Sequence, residues 1–287
     1  MTYRRRATPL HAARAGAACL YCLALIVAVL VLSSPLMLAV VTVAIAGAGV
    51  GAGVGRELLR AARFAVPLAL MICVINALAS RNGVTVIWRL GDIPLYGQAN
   101  ITLEATVYGA VLGLRAVALI LAATLYTVAV DPDEMLALFR RVSFRSALTA
   151  TLATRIVPVL ARDAGRLADA QRCRPGKPPT RVQLMRASTA GALDRALDVA
   201  AALEVRGYST ARPRPRARRS WSRHDLAFTA SAVAIVALSI ATRLAVLAPF
   251  QAYPSLRMPL RAGGAATAVA LLAIAGLPFA DRRGVAR

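Results

Sequence analysis

Acidic residues and histidines are scarce in this chain. Of its 287 residues, 13 are Asp or Glu and two are His, against 35 Lys and Arg. The histidines, His11 and His224, stand near opposite ends, and there are four cysteines, Cys19, Cys22, Cys73 and Cys173. Three of the cysteines fall in apolar runs, so no disulfide framework is expected. Cys19 and Cys22 form a C-x-x-C without a second ligand pair, which reads as packing; no Cys/His metal site is expected. Nor is there a G-x-x-x-x-G-K-[ST] run: Gly176-Lys177 is followed by Pro178, so the chain has no phosphate-binding loop of its own. The Gly run Gly47, Gly49, Gly51, Gly53 and Gly55 ends an apolar stretch rather than following a strand. It is read as close helix packing, not as a dinucleotide loop.

What the chain has instead is apolar length. It is 58% hydrophobic, with a mean hydropathy of +0.61. Disordered chains are poor in apolar residues, so disorder is excluded. A bilayer-spanning helix needs about 20 mostly apolar residues. Six candidate spans meet or approach this: about Gly16 to Leu32, Pro35 to Val54, Phe64 to Ala79, Ala105 to Val130, Leu226 to Leu247 and Gly264 to Ala280. The third and sixth are short and contain proline. The first is not read as a signal peptide, because equally apolar spans follow without a small-residue cleavage site. The expected fold class is therefore all-α, a polytopic membrane protein.

The basic residues sort by position. Cytoplasmic loops of membrane proteins are rich in Lys and Arg. Arg4, Arg5, Arg6 and Arg14 precede the first span, Arg56, Arg60 and Arg63 follow the second, and Arg282, Arg283 and Arg287 end the chain. The segment from Asp131 to His224 holds 19 basic and 8 acidic residues, a net +11, half of the total +22. The other two loops hold only Arg81 and Arg89, then Arg257 and Arg261. This alternation predicts cytoplasmic termini and a multi-pass protein of the cell (inner or plasma) membrane. It divides the chain into a membrane domain over 1–130, a cytoplasmic domain over 131–224 and a second membrane portion over 225–287. The tract from Arg212 to Arg219 has alternating prolines and no stacking aromatics, so it reads as lipid-facing charge, not nucleic-acid binding. Arg115 and Arg243 fall inside spans. Arg115 suits a structural or a functional role equally, and Arg243 has the position of a snorkelling residue.

The basic segment reads as helices. Asp131 is a suitable N-cap and Pro132 a suitable first helical residue. Ser146 is placed as the cap of a second helix, about 25 residues long, with Pro158 inside it and Arg172, Arg174, Pro175 and Gly176 at its end. A third helix runs from Thr180 or Arg181 to Arg206 and stops at Gly207, a candidate left-handed cap. Leu193, Ala196, Leu197, Ala200 and Leu203 form its apolar face, and Asp194, Arg195 and Asp198 its solvated side. Two helices thus each end in an arginine followed at once, or nearly so, by a stop glycine, where unpaired carbonyls also seek partners.

With these residues in view, the sequence resembles the transmembrane T component of energy-coupling factor (ECF) transporters, the EcfT/CbiQ family of ABC-type importers. Members carry two Ala-Arg-Gly motifs at the ends of cytoplasmic coupling helices. The first matches Ala170, Gln171, Arg172, Arg174 and Gly176, with Cys173 at an alanine position and Pro175 inserted. The second matches Ala202, Glu204, Arg206 and Gly207, with Val205 at the alanine position. The Ile101-Thr102-Leu103-Glu104 stretch, the Asp133-Glu134-Met135 helix start and Arg155-Ile156-Val157-Pro158 also look family-like. The resemblance implies two ABC-type ATPase partners, a membrane S component that captures a vitamin or transition-metal ion, and no cofactor or catalytic residue in this chain. Leu160, Leu193, Leu197 and Leu203 then stand as candidate S-component contacts, or as residues buried against neighbouring helices. Alternative readings are a permease subunit forming its own substrate path and a membrane-embedded enzyme.

Overall fold

The computed structural model describes residues 6–79, 85–93, 97–139, 144–173, 180–207, 220–245 and 262–281. The chain divides into two compact units, one of Met1–Pro132 with Ser220–Arg287 and the other of Asp133–Arg219.

The first unit is a polytopic membrane bundle of α-helices, with one short β-hairpin between two of them. A single turn, α1 (Pro9–Ala12), leads into α2 (Ala15–Val31), α3 (Pro35–Gly51), α4 (Gly55–Ala79), α5 (Leu103–Ala129), α9 (Arg223–Leu244) and α10 (Ala262–Gly276), which ends in a 3-10 turn over Leu277–Phe279. Three of these, α4, α5 and α9, are long and apolar enough to cross a membrane; α2, α3 and the last apolar stretch are shorter. Pro35 opens α3 at a first-turn position, where its missing N–H leaves no hydrogen bond unmade. The third apolar run is longer than its hydropathy suggests. Helix α4 begins at Gly55, so Arg56, Arg60 and Arg63 lie in its first turns rather than in a loop, and it continues through Pro67.

The core is built where α2, α9 and α10 meet. Tyr21, Phe228 and Phe279 stack edge to face, with ring centroids 5.3 to 6.0 Å apart. The Tyr21 hydroxyl donates to Ala275 O at 2.8 Å, and Ser231 Oγ donates to Ile274 O at 2.7 Å. Both hydroxyls therefore satisfy themselves on α10 carbonyls, as polar groups in an apolar setting must.

Small residues let the other helices approach. A Cβ at Gly113 of α5 would lie 2.8 Å from Ala69 O of α4, and one at Gly109 would lie 3.0 Å from Cys73 O. Here backbone meets backbone, the close crossing that small residues permit in membranes. In the Gly run, a Cβ at Gly49 would meet Leu58 at 2.5 Å, and one at Gly51 would meet the Phe279 ring at 2.6 Å. Packing is therefore what these two glycines do. Cys19 and Cys22 are buried in α2, as packing residues are.

An antiparallel hairpin, β1 (Val86–Ile93) with β2 (Gly97–Thr102), joins α4 to α5. Its strands are too short to carry the roughly 20-residue apolar signal of a membrane span. Thr102 ends β2 and caps α5, its Oγ1 accepting from Ala105 N at 3.4 Å. Glu104 in the first turn takes the Thr85 N–H at 3.2 Å on both oxygens, tying the hairpin's first residues to the helix start.

The second unit contains α6 (Pro132–Phe139), α7 (Phe144–Arg172) and α8 (Arg181–Val205). Pro132 opens α6 with Asp133 and Glu134 in its first turn, as the macrodipole favours. Ser146 is inside α7, not at its cap: the helix starts two residues earlier, at Phe144. Nothing at Phe144 or Arg145 breaks a helix, and assigned ends commonly shift by this much. Thr180 caps α8 by a reciprocal box: Thr180 Oγ1 accepts from Gln183 N at 3.4 Å, and Gln183 Oε1 accepts from Thr180 N at 3.0 Å.

Candidate functional site

The two motif-bearing ends belong to α7 and α8, which pack against each other. Asp163 of α7 and Arg195 of α8 form an ion pair across the contact, with side chains 30% and 40% exposed. This corrects the reading of Arg195 as part of the solvated side. The less exposed stripe of α8 runs through Leu184, Ser188, Ala192, Arg195, Val199 and Leu203. A guanidinium was placed outward by its charge alone, and an acid in the partner helix reversed that.

The same phase decides the four leucines. Leu160 and Leu203 are half-buried, whereas Leu193 and Leu197 are exposed, at 64% and 61%. Val182 and Met185 are exposed too, so the outward apolar stripe extends back to the start of α8. Val157 on α7 is likewise exposed. The spacing of Val182, Met185, Leu193 and Leu197, by 3, 8 and 4 residues, was the available signal for this longer stripe.

At the end of α8 the cap takes the expected form. Gly207 has φ +71°, a left-handed conformation that a β-carbon would strain. Its N–H donates to Glu204 O at 2.8 Å, and the Arg206 N–H donates to Ala202 O at 3.3 Å. Ala202, Glu204 and Arg206 are exposed, and Val205 is 90% exposed. Arg206 has no ion pair among the described residues. The helix thus presents a guanidinium beside its own C-terminal carbonyls. That is a combined donor and acceptor edge.

At the end of α7, Ala170 and Arg172 are exposed and Gln171 is half-buried. Arg172 reaches Asp169, one turn back, at 3.8 Å, with both side chains largely in solvent. Such a pair contributes little. Cys173 is exposed. Arg174, Pro175 and Gly176 lie outside the described residues.

The sequence profile of a cobalt transport protein family, CbiQ, matches residues 6–217. This chain belongs to the CbiQ family. The matched stretch takes in α2 to α5 of the bundle and, in the second unit, α7 and α8 with both of their C-terminal ends. No curated protein matches the chain. As a CbiQ protein it is a transport component of the membrane, built as an all-α bundle with a separate helical unit. Among the described residues, no three His, Cys, Asp or Glu side chains gather into a metal-binding group.

Proposed function

We propose that this CbiQ protein is the membrane coupling subunit of an ECF-type importer. Two ABC-type ATPase subunits bind and hydrolyse ATP, and this chain, which has no phosphate-binding loop of its own, passes their motion to a small membrane S component. That S component captures cobalt, another transition-metal ion or a vitamin. The observation that carries the reading is the exposed Arg206 beside the Gly207 cap, repeated in sequence at Arg174 and Gly176.

In this mechanism Arg206 and Arg174 form charge-assisted hydrogen bonds with acids in grooves of the ATPases. Ala170, Gln171, Arg172, Ala202 and Glu204 shape the two helix ends that enter those grooves. Closure of the ATPase pair on ATP moves the ends of α7 and α8. The Asp163–Arg195 pair and the half-buried Leu160 and Leu203 keep the helices moving together. The exposed Leu193 and Leu197 offer the apolar surface for the S component. The chain crosses the cell membrane six times, with both termini and the 131–224 segment in the cytoplasm, in keeping with the distribution of its basic residues.

Affinity purification of the chain from its native membranes is expected to retain two ATP-binding subunits and one small membrane protein. A chain that purifies alone, yet still carries substrate across a bilayer, would identify a permease with its own path.

A further inference from the structure

Two arginines in the membrane bundle converge on one turn. Arg115 projects from the middle of α5, and its Nη2 donates to Leu32 O at 3.0 Å. Arg243 lies in the last turn of α9, and its Nη1 donates to Ser33 Oγ at 3.0 Å. Leu32 and Ser33 are consecutive residues in the turn between α2 and α3. Both acceptors are neutral, and neither arginine has an ion pair among the described residues. The Nε of Arg115 is buried and has no acceptor. A guanidinium has five donors, and most on this pair are left for another acceptor.

Among the described residues, the acids of the bundle's long helices are engaged elsewhere. Its long helices contain three acidic residues, Glu57, Glu104 and Asp225. Glu57 is held by Arg6, Glu104 by the Thr85 N–H, and Asp225 by Arg14. An arginine without a counter-charge is costly in a bilayer, by roughly 2.5–3.5 kcal/mol at its centre.

The place of the turn indicates what supplies the missing charge. Helices α2 and α3 have 17 residues each, about 25 Å of rise, against a hydrocarbon core of about 30 Å. Their connecting turn therefore comes up just short of the headgroup layer. It lies at the end of α2 and α9 opposite to the one where Arg14 meets Asp225. At that depth the abundant anion is a lipid phosphate, whose oxygens match the planar fork of arginine bidentately. We infer that Arg115 and Arg243 bind the phosphodiester of an anionic phospholipid over the Leu32–Ser33 turn.

The test uses the full chain purified in detergent, with its thermal unfolding midpoint followed during titration by phosphatidylglycerol, phosphatidylcholine or inorganic phosphate. Phosphatidylglycerol is expected to raise the midpoint more than phosphatidylcholine does, and inorganic phosphate is expected to leave it unchanged. In Arg115→Gln/Arg243→Gln the response to phosphatidylglycerol should need roughly tenfold more lipid or more. The double Lys variant should recover part of it, and Arg166→Gln, on exposed α7 surface, should respond as the wild type does. If the double Gln variant does not fold, Arg243→Gln alone, which loses one exposed contact, carries the comparison. An unchanged phosphatidylglycerol response in the Gln variants, an equal response to phosphatidylcholine, or an equal response to inorganic phosphate would each overturn the assignment.

Discussion

Arg174→Glu combined with Arg206→Glu is expected to abolish co-purification of the ATPase subunits and substrate uptake, while membrane insertion and folding stay intact. Arg206 is exposed and makes no ion pair within the described residues. Its replacement therefore costs the chain itself little, within about 0.5 kcal/mol for an ordinary surface site. Toward a partner the arithmetic differs. Removing one side of a desolvated, hydrogen-bonded charge pair costs about 3–5 kcal/mol. Each tenfold in affinity is about 1.4 kcal/mol, so one lost pair is a loss of roughly a hundredfold or more. A glutamate also replaces attraction by repulsion. It stands beside the carbonyls of a helix C-terminus, where negative charge is disfavoured. Gel filtration and quantified subunit ratios of the tagged chain read the result. Full ATPase occupancy in the double variant would remove Arg174 and Arg206 from the interface.

The second large effect is on stability and falls on Asp225. Its side chain is 3% exposed, so its contacts are made in a desolvated setting. One oxygen accepts from Arg14 N at 2.7 Å, and the other accepts from Ser222 N at 2.9 Å and faces Arg14 Nε at 3.4 Å. One carboxylate thereby serves the starts of two helices, α2 and α9, and anchors a guanidinium that also lies over the Trp221 ring at 5.8 Å. Asp225→Ala strands two backbone donors and a positive charge together. It is expected to destabilise the bundle by about 3–5 kcal/mol, read as a large fall in the thermal midpoint of the detergent-solubilised chain. Asp225→Asn keeps an acceptor but not the charge, and should fall between the two. A wild-type midpoint for Asp225→Ala would mean that these contacts contribute nothing.

Much of the bundle was legible in the sequence because membrane helices are written as long apolar runs. The runs beginning near Gly16, Pro35, Ala105 and Leu226 correspond within a few residues to α2, α3, α5 and α9. The start of α4 was not legible. Arg56, Arg60 and Arg63 look like a loop on a hydropathy scale, yet they are sound helix formers with Glu57 in the first turn. The β1–β2 hairpin was missed for the opposite reason, since its strands are too short to register as spans.

At α7 and α8, local rules worked and tertiary ones were invisible. The Gly207 cap and the Thr180 start follow from the preferences of single residues, which act over one turn. The phase of α8 does not. Leu203 and Arg195 share its less exposed side because Asp163 stands on the neighbouring helix, more than 30 positions back in sequence. Only the fold brings that acid near.

The claim that this chain couples, rather than conducts, is tested most directly by uptake into vesicles. Vesicles are loaded with ATP and contain the chain and its S component, with or without the two ATPase subunits. The account predicts uptake only when both ATPases are present, and none with the chain and S component alone. Uptake at the same rate without the ATPases would contradict it.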